Sequence, residues 1–566
     1  MEKIRDAAKA WLAEDPDPST RQELEELLRK NDEAGLFDRF SKRLEFGTAG
    51  LRGVLGAGPN RMNRSVVIRT TAGLGRYLLR TLPDCTNRGV VIGYDGRRLS
   101  KEAAEDTASV LAGLGIPALI FPQVAPTPLT AFAVLHMRAA AGVMITASHN
   151  PPEYNGYKVY WENGAQIIPP HDAGISAEID RIASLAEIAR PRGLAQDLPS
   201  SVEDAYVRAV KGLSRSHEGR DLVSIVYTPL HGVGGALALR VLREAGFSKI
   251  HPVEEQMEPD GRFPTVRFPN PEEPGAMDLS LACAKRTAAT IVLANDPDAD
   301  RLAVAVRTKT GAYQMLSGNQ VGVLLAGYLL RSPRPNDLVL TTIVSSPMLG
   351  SIARALGIRY AEVLTGFKWI ANHSLDLANT EGAHFVFGYE EALGYTVGTV
   401  CRDKDGISAA CLFAELAADA ASRGRTVLDE LEALYRNYGL FLSHQLNETR
   451  DAAAIATIME SFRTRPLEVL GGLPVRALRD YKSGAKRSDG VEEKLGLPAS
   501  NVLSFELSDG SRVTLRPSGT EPKIKYYFDL REAIRAGEAI ASAEKRGRER
   551  IQSISRDLLR EVTQRG

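Results

Sequence analysis

The sequence predicts an α/β chain built from several domains, and three observations carry that expectation. Short apolar runs ending in turn residues alternate with helical patterns, as layered α/β units require. At 566 residues the chain is too long for one ordinary core. Its last part changes character: Val502 to Leu507 and Ser511 to Leu515 flank Asp509-Gly510, which signals a hairpin.

In chain order, residues 1–44 read as a helical extension packed on the first domain. Trp11, Leu12, Leu24, Leu27 and Leu28 are its apolar positions, and Pro16 and Pro18 interrupt it. A first α/β domain follows over 45–200. It carries a strand at Gly89–Asp95, a helix at Ser100–Leu114 capped by Ser100, and a strand at Pro117–Phe121. A second, 201–320, opens with the strand Asp221–Tyr227 and contains Ala289–Ala294. The glycine-rich stretch Thr228 to Gly235 is not a dinucleotide loop, because Leu237 stands where the third glycine is needed. A third, 321–440, holds the strands Leu338–Val344 and Phe385–Gly388. The remainder, 441–566, reads as α+β and ends in a long charged helix over 532–563.

Charge is balanced, with 70 Lys+Arg against 70 Asp+Glu, so no basic field points to nucleic acid. Cys85, Cys283, Cys401 and Cys411 are scattered and match no zinc spacing. The first residues do not form a signal peptide, and no apolar run approaches the roughly 20 residues that cross a bilayer. The expectation is a cytoplasmic protein.

Three stretches suggest chemistry directly. Thr146-Ala147-Ser148-His149-Asn150-Pro151-Pro152 follows the apolar run Ala139–Ile145, so a hydroxyl sits at a strand end on a stiffened loop, well placed for covalent chemistry. Asn295-Asp296-Pro297-Asp298-Ala299-Asp300-Arg301 also follows a strand. Alternate positions of extended chain would bring the three carboxylates to one side, where their repulsion favours a hard cation such as Mg²⁺. It is not an EF-hand, since Arg301 replaces the turn glycine. Near the C-terminus, Arg516-Pro517-Ser518-Gly519-Thr520 combines an Arg, two hydroxyls and a glycine, a plausible anion nest.

These stretches, with Phe46 to Gly53, Thr365 to Lys368, Phe387 to Tyr395 and Asp403 to Gly406, together resemble the α-D-phosphohexomutase superfamily in the family's order. The resemblance implies four domains around a central cleft: three related α/β mixed-sheet domains and a C-terminal α+β domain. It implies that Ser148 is the phosphoryl carrier and that Asp296, Asp298, Asp300 and an oxygen on Ser148 bind Mg²⁺. Arg301 would contact the moving phosphoryl group, while Thr48 and Arg52 border the reactive centre. Lys158 and His149 would be the candidates for the base, with Lys158 favoured by family position and its proton loosened by desolvation, and His149 otherwise shaping the loop. Glu390 would accept sugar hydroxyls; Ala392 stands where many members have Ser. Thr365, Gly366, Lys368 and Lys404 would contact substrate, and Arg516, Ser518, Gly519 and Thr520 the phosphate that is not reacting.

The reaction implied interconverts sugar 1-phosphate and 6-phosphate, with glucose first, through a phosphoserine and a bisphosphorylated sugar, and with glucose 1,6-bisphosphate as activator. Pentose and mannose phosphates and bisphosphate synthesis are alternatives within the class. Outside it stand a metal-dependent phosphatase and a non-catalytic sugar-phosphate binder. The partner expected is a small sugar phosphate, with no nucleic acid or membrane, on a monomer or homodimer.

Overall fold

A computed structural model describes residues 1–45, 50–488, 490–518 and 523–565. The expected contacts Thr48, Gly519 and Thr520 therefore lie outside the described residues. Compactness divides the chain into two units. The first comprises Met1–Ser317, Gly366–Leu375 and Ala392–Arg425, and the second Gly318–Thr365, Asp376–Glu391 and Thr426–Gly566.

The first unit begins with helices Glu2–Glu14, Pro18–Arg29 and Glu33–Phe40. Pro18 starts the second of them, at a position whose N–H has no helical partner to lose, and Asp17 caps it. Ala8, Leu24, Leu36 and Ala57 form their small core.

Behind them lies a six-stranded sheet in the order Leu51–Val54, Tyr154–Trp161, Ala141–Ile145, Val90–Tyr94, Ala118–Ile120, Gln196–Asp197. Its central strands are parallel and buried on both faces, which explains their uninterrupted apolar runs. Tyr154–Trp161 is antiparallel to Ala141–Ile145, and that register puts Lys158 opposite Met144. A second, five-stranded sheet runs Tyr313–Leu316, Leu302–Arg307, Ile291–Asn295, Ile225–Thr228, Ile250–Pro252. Helix Gly406–Ser422, buried along most of its length, packs on this second sheet and on helix Gly235–Glu244.

In the second unit, Asp337–Thr342 pairs in parallel with Arg359–Val363 and His384–Glu390. The C-terminal part is an antiparallel sheet in the order Leu440–Thr449, Lys523–Glu532, Arg512–Pro517, Leu503–Leu507, Leu473–Asp480, Ala485–Ser488, Val491–Lys494. The α/β class with a β-rich C-terminal domain thus agrees with the expectation. Among the described residues no helix is long and apolar enough to cross a membrane.

Two local expectations need correction. Ser100 does not cap its helix: it is the first helical residue, and its hydroxyl donates to Asp95 Oδ1 at 2.6 Å. Leu99 takes the cap position at φ 71°. The C-terminal helix starts at Ile540 rather than 532, because Lys523–Glu532 pairs along its whole length with Leu440–Thr449.

Candidate active site

The Ser148 loop leaves the buried strand Ala141–Ile145 through a tight turn. Ser148 adopts a left-handed φ of 53°, a conformation that an L-residue holds only when its surroundings fix it. Thr146 Oγ1 helps, accepting the Ser148 N–H at 2.8 Å. The side chain is nearly closed off from solvent. Ser148 Oγ donates to Asp296 Oδ2 at 2.8 Å and lies 3.1 Å from His149 Nδ1.

Asp296, Asp298 and Asp300 offer oxygens that all lie within 4.8 Å of one another, and all three side chains are buried. They converge by a different route from the one expected. The chain is not extended here but turns, with Ala299 at φ 57° and its N–H donating to Asp296 carbonyl oxygen at 2.8 Å. The glycine-rich stretch before Gly235 is the bed of this turn. A Cβ on Gly232 would stand 2.4 Å from Pro297 Cα, and one on Gly234 would stand 2.6 Å from Ala299 Cβ. Val233 N–H donates to Pro297 carbonyl oxygen at 2.8 Å.

The donor set fits a hard cation. Among the described residues, Asp298 Oδ1 and Asp300 Oδ1 are buried and accept no hydrogen bond, a costly state that a ligand with vacant coordination sites would relieve. Burial and two like-charged neighbours push Asp296 well above the carboxylate range. Burial acts the same way on Asp300, but Lys158, Lys404 and Arg301 outweigh it and hold that residue low.

Cationic side chains ring the triad. Lys158 Nζ donates to Asp298 Oδ2 at 2.8 Å and to Asp300 Oδ2 at 2.9 Å. The Lys158 proton is therefore held, not loosened as desolvation alone would have it. Burial does pull the Lys158 pKa down, but Asp298, Asp300 and Asp403 more than compensate and the net shift is upward. Lys404 Nζ lies 3.1 Å from Asp300 Oδ2. Its neighbour Asp403 accepts from Tyr160 hydroxyl at 2.8 Å and from Gln166 Nε2 at 2.6 Å, which fixes the turn. Arg301 N–H donates to Asp296 Oδ1 at 3.0 Å, and its Nε lies 3.9 Å from carboxylate oxygens of both Asp296 and Asp300. Arg52 Nη1 donates to Asn150 Oδ1 at 2.9 Å, and burial brings its guanidinium down to about 10. Lys368 Nζ sits 5.5 Å from the Trp369 ring centre, and Gly366 takes φ 114°, which favours glycine there.

Sequence reading missed two supports of this centre. Thr127 Oγ1 donates to Asp298 Oδ2 at 2.7 Å and Thr127 N–H donates to Asp298 carbonyl oxygen at 2.9 Å. Arg97 underlies the Ser148 loop. A Pro-Thr-Pro opening to an apolar helix, as at Thr127, and an Asp-Gly-Arg turn after a strand, as at Arg97, were the signals available.

In the second unit, Glu390 ends the strand His384–Glu390. Glu391 accepts from Ser345 Oγ at 3.0 Å and from Thr342 Oγ1 at 3.2 Å, and burial together with Glu390 pushes it up to about 7. Arg516, on the strand Arg512–Pro517, lies close enough to Glu391 to oppose that rise. Ser518 N–H donates to Lys523 carbonyl oxygen at 2.8 Å. Thr365 Oγ1 is buried without a hydrogen-bond partner among the described residues.

Comparison with known proteins bears on what this arrangement is for. Residues 43–186, 204–311 and 317–438 match, in turn, the α/β/α domains I, II and III of the phosphoglucomutase/phosphomannomutase family. The chain is 38% identical to a human phosphopentomutase over 553 residues, 92% of this chain and 90% of that one. It is also 38% identical to a mouse glucose 1,6-bisphosphate synthase over 552 residues, covering 92% and 89% respectively. A crystal structure of a putative phosphomannomutase from Thermus thermophilus superposes with a TM-score of 0.66 at 25% identity, covering 86% of this chain and 95% of that one. Matches of this extent, over three consecutive domains and nearly whole relatives, mean that the chain belongs to the phosphoglucomutase/phosphomannomutase family of phosphosugar mutases.

Proposed function

We propose that the chain interconverts pentose 1-phosphates and their terminal isomers through a phosphoserine at Ser148, with glucose 1-phosphate and 6-phosphate as the second substrate pair. The observation carrying the chemistry is the buried Ser148 hydroxyl bonded at 2.8 Å to a carboxylate of the Asp296, Asp298, Asp300 cluster. The human phosphopentomutase relative and Ala392, which lacks the hydroxyl that many members carry, favour the pentose. Equal likeness to a glucose 1,6-bisphosphate synthase keeps glucose as the second reading.

In the first step the bond from Ser148 Oγ to phosphorus breaks, a sugar hydroxyl forms the new bond to phosphorus, and its proton leaves to a base. Lys158 is the base that family position favours; as the ammonium that donates to Asp298 and Asp300 it must first give up a proton, to one of those carboxylates or to water, before it can take the one from the sugar hydroxyl. The bisphosphorylated sugar then returns its other phosphate to Ser148 Oγ. Such transfers depend on alignment and charge neutralisation. Arg301 and Arg52 supply fixed positive charge near Ser148. Asp296, Asp298 and Asp300 would hold Mg²⁺, which when bound neutralises charge on the transferring group. Glu390 is assigned to the sugar hydroxyls, and Arg516 and Ser518 to the remaining phosphate. A catalytic amount of sugar bisphosphate would restore any Ser148 that has lost its phosphate to water.

The test is phosphorus NMR with Mg²⁺ and a trace of the matching bisphosphate, ribose 1-phosphate and glucose 1-phosphate being assayed in parallel. Conversion to the terminal isomer should fall by at least about 10³-fold in Ser148→Ala. Faster turnover of glucose 1-phosphate would reverse the substrate order. Free phosphate released equally by wild type and Ser148→Ala would refute the mutase mechanism.

A further inference from the structure

We propose that Arg97 is a positioning residue for this reaction, holding the Ser148 loop in the left-handed turn that aims Oγ at Asp296. The inference rests on the reading of Ser148 as the phosphoryl carrier.

The geometry is unusually concentrated. Arg97 Nη2 donates to the carbonyl oxygens of Ser148 at 2.6 Å and Asn150 at 2.5 Å, and Nη1 to those of Pro151 at 2.8 Å and Tyr154 at 3.2 Å. One guanidinium thus takes up carbonyls across the whole bend, including that of the nucleophile itself. A planar fork with several fixed donors can do this, while a single ammonium cannot span both sides of the loop.

The fork is itself held. Arg97 is 4% exposed, and its Nε lies 3.3 Å from Asp95 Oδ2, whose other oxygen accepts from Ser100 Oγ and from the Arg97 N–H. The ring of Phe263, from the loop after Ile250–Pro252, covers the guanidinium with its centre 4.9 Å away. That loop presses close, since a Cβ on Gly261 would stand 2.6 Å from the Gly96 carbonyl oxygen and 2.7 Å from Arg97 Cα. Arg97 is clamped between the strand end and this loop, so the carbonyls it binds have little freedom to shift.

The functional consequence follows from φ at Ser148. Without Arg97 the carbonyls lose buried donors, and the backbone relaxes toward a conformation an L-serine prefers. Oγ then moves away from Asp296, and a displacement of about 1 Å in a reacting group costs on the order of 10²-fold in rate.

The test compares Arg97→Met and Arg97→Lys with wild type and with Ser148→Ala, using whichever of ribose 1-phosphate or glucose 1-phosphate the wild type turns over. Measured are kcat, KM, melting temperature and the rate at which the sugar bisphosphate phosphorylates the protein, by intact mass. The expectation for Arg97→Met is kcat down about 10²-fold, phosphorylation slowed in parallel and KM within about twofold, with Arg97→Lys between it and wild type. A role in stability alone would lower the melting temperature and leave kcat per folded molecule intact, and that result overturns the proposal. If Arg97→Met does not fold, Arg97→Lys decides, and wild-type kcat and phosphorylation rate in it overturn the proposal equally. An active Ser148→Ala would instead overturn the phosphoserine reading beneath it.

Discussion

Replacing Gly232 by alanine should disable the acidic loop although residue 232 contributes no functional group. The added Cβ would stand 2.4 Å from Pro297 Cα, 2.5 Å from Pro297 carbonyl oxygen and 2.7 Å from Pro229 carbonyl oxygen. Carbon contacts are comfortable at about 3.5–4.0 Å, so roughly 1 Å of separation must be found. All three atoms belong to backbone, which cannot swing aside as a side-chain tip can. Pro297 lies between Asp296 and Asp298, and its carbonyl is tied to Val233 N–H on the same bed. Overpacking of this kind costs about 1–3 kcal/mol. The same shift carried into the carboxylates should lower kcat by about 10²-fold and raise the Mg²⁺ concentration needed for half-maximal activity. Thermal melting and a Mg²⁺ titration of activity measure both effects. Wild-type melting together with an unchanged Mg²⁺ requirement would refute the view that Gly232 is needed to seat the loop.

Thr127→Val removes a buried hydroxyl that donates to Asp298 at 2.7 Å while keeping its shape. Stability should fall by about 1–3 kcal/mol in denaturant melts and the Mg²⁺ requirement should rise, whereas an unchanged requirement would relegate Thr127 to packing. In the second unit, burial raises Asp529 to about 6 from an unfolded value of 3.8, against the pull of Arg512 and Ser443. A carboxyl with a raised folded pKa binds more protons folded than unfolded, so its contribution is full below 3.8 and is lost as pH rises through 6. Between pH 4.5 and 7 the wild type should therefore lose about 2 kcal/mol that Asp529→Asn does not, read from urea melts at the two values. Parallel pH dependence of the two proteins would contradict this.

Much of the chemistry was legible in the sequence because it lies in contiguous loops at strand ends. Ser148 and the three aspartates could be singled out by residue type and spacing, and their proximity in space is what the fold adds. The details that failed depend on partners far along the chain. Ser100 looked like a cap until Asp95 claimed its hydroxyl, and the start of the last helix was hidden by strand pairing over residues 523–532. Lys158 looked loosely protonated only while its neighbours were unknown. The glycines at 232 and 234 read as a failed nucleotide motif, since nothing local shows that a turn some 65 residues later rests on them. Thr127 and Arg97 carried local signals, but not their roles, because the groups they bind, Asp298 and the carbonyls of the Ser148 loop, lie far along the chain.

The interleaved path of the chain bears on synthesis. Helix Gly406–Ser422 covers the second sheet and helix Gly235–Glu244, yet it is made after the residues 318–365 that belong to the other unit. A nascent chain paused anywhere before residue 422 leaves the face of the sheet that this helix covers bare, with part of the helix, whose Phe413, Leu416 and Ala417 are buried in the finished fold, still unmade or inside the ribosome. The N-terminal half therefore cannot finish folding while it is being translated, and it needs shelter for about a hundred residues of further elongation. Fragments cut at the apparent sheet boundaries would expose the same face, so this enzyme is not divisible into sequential modules.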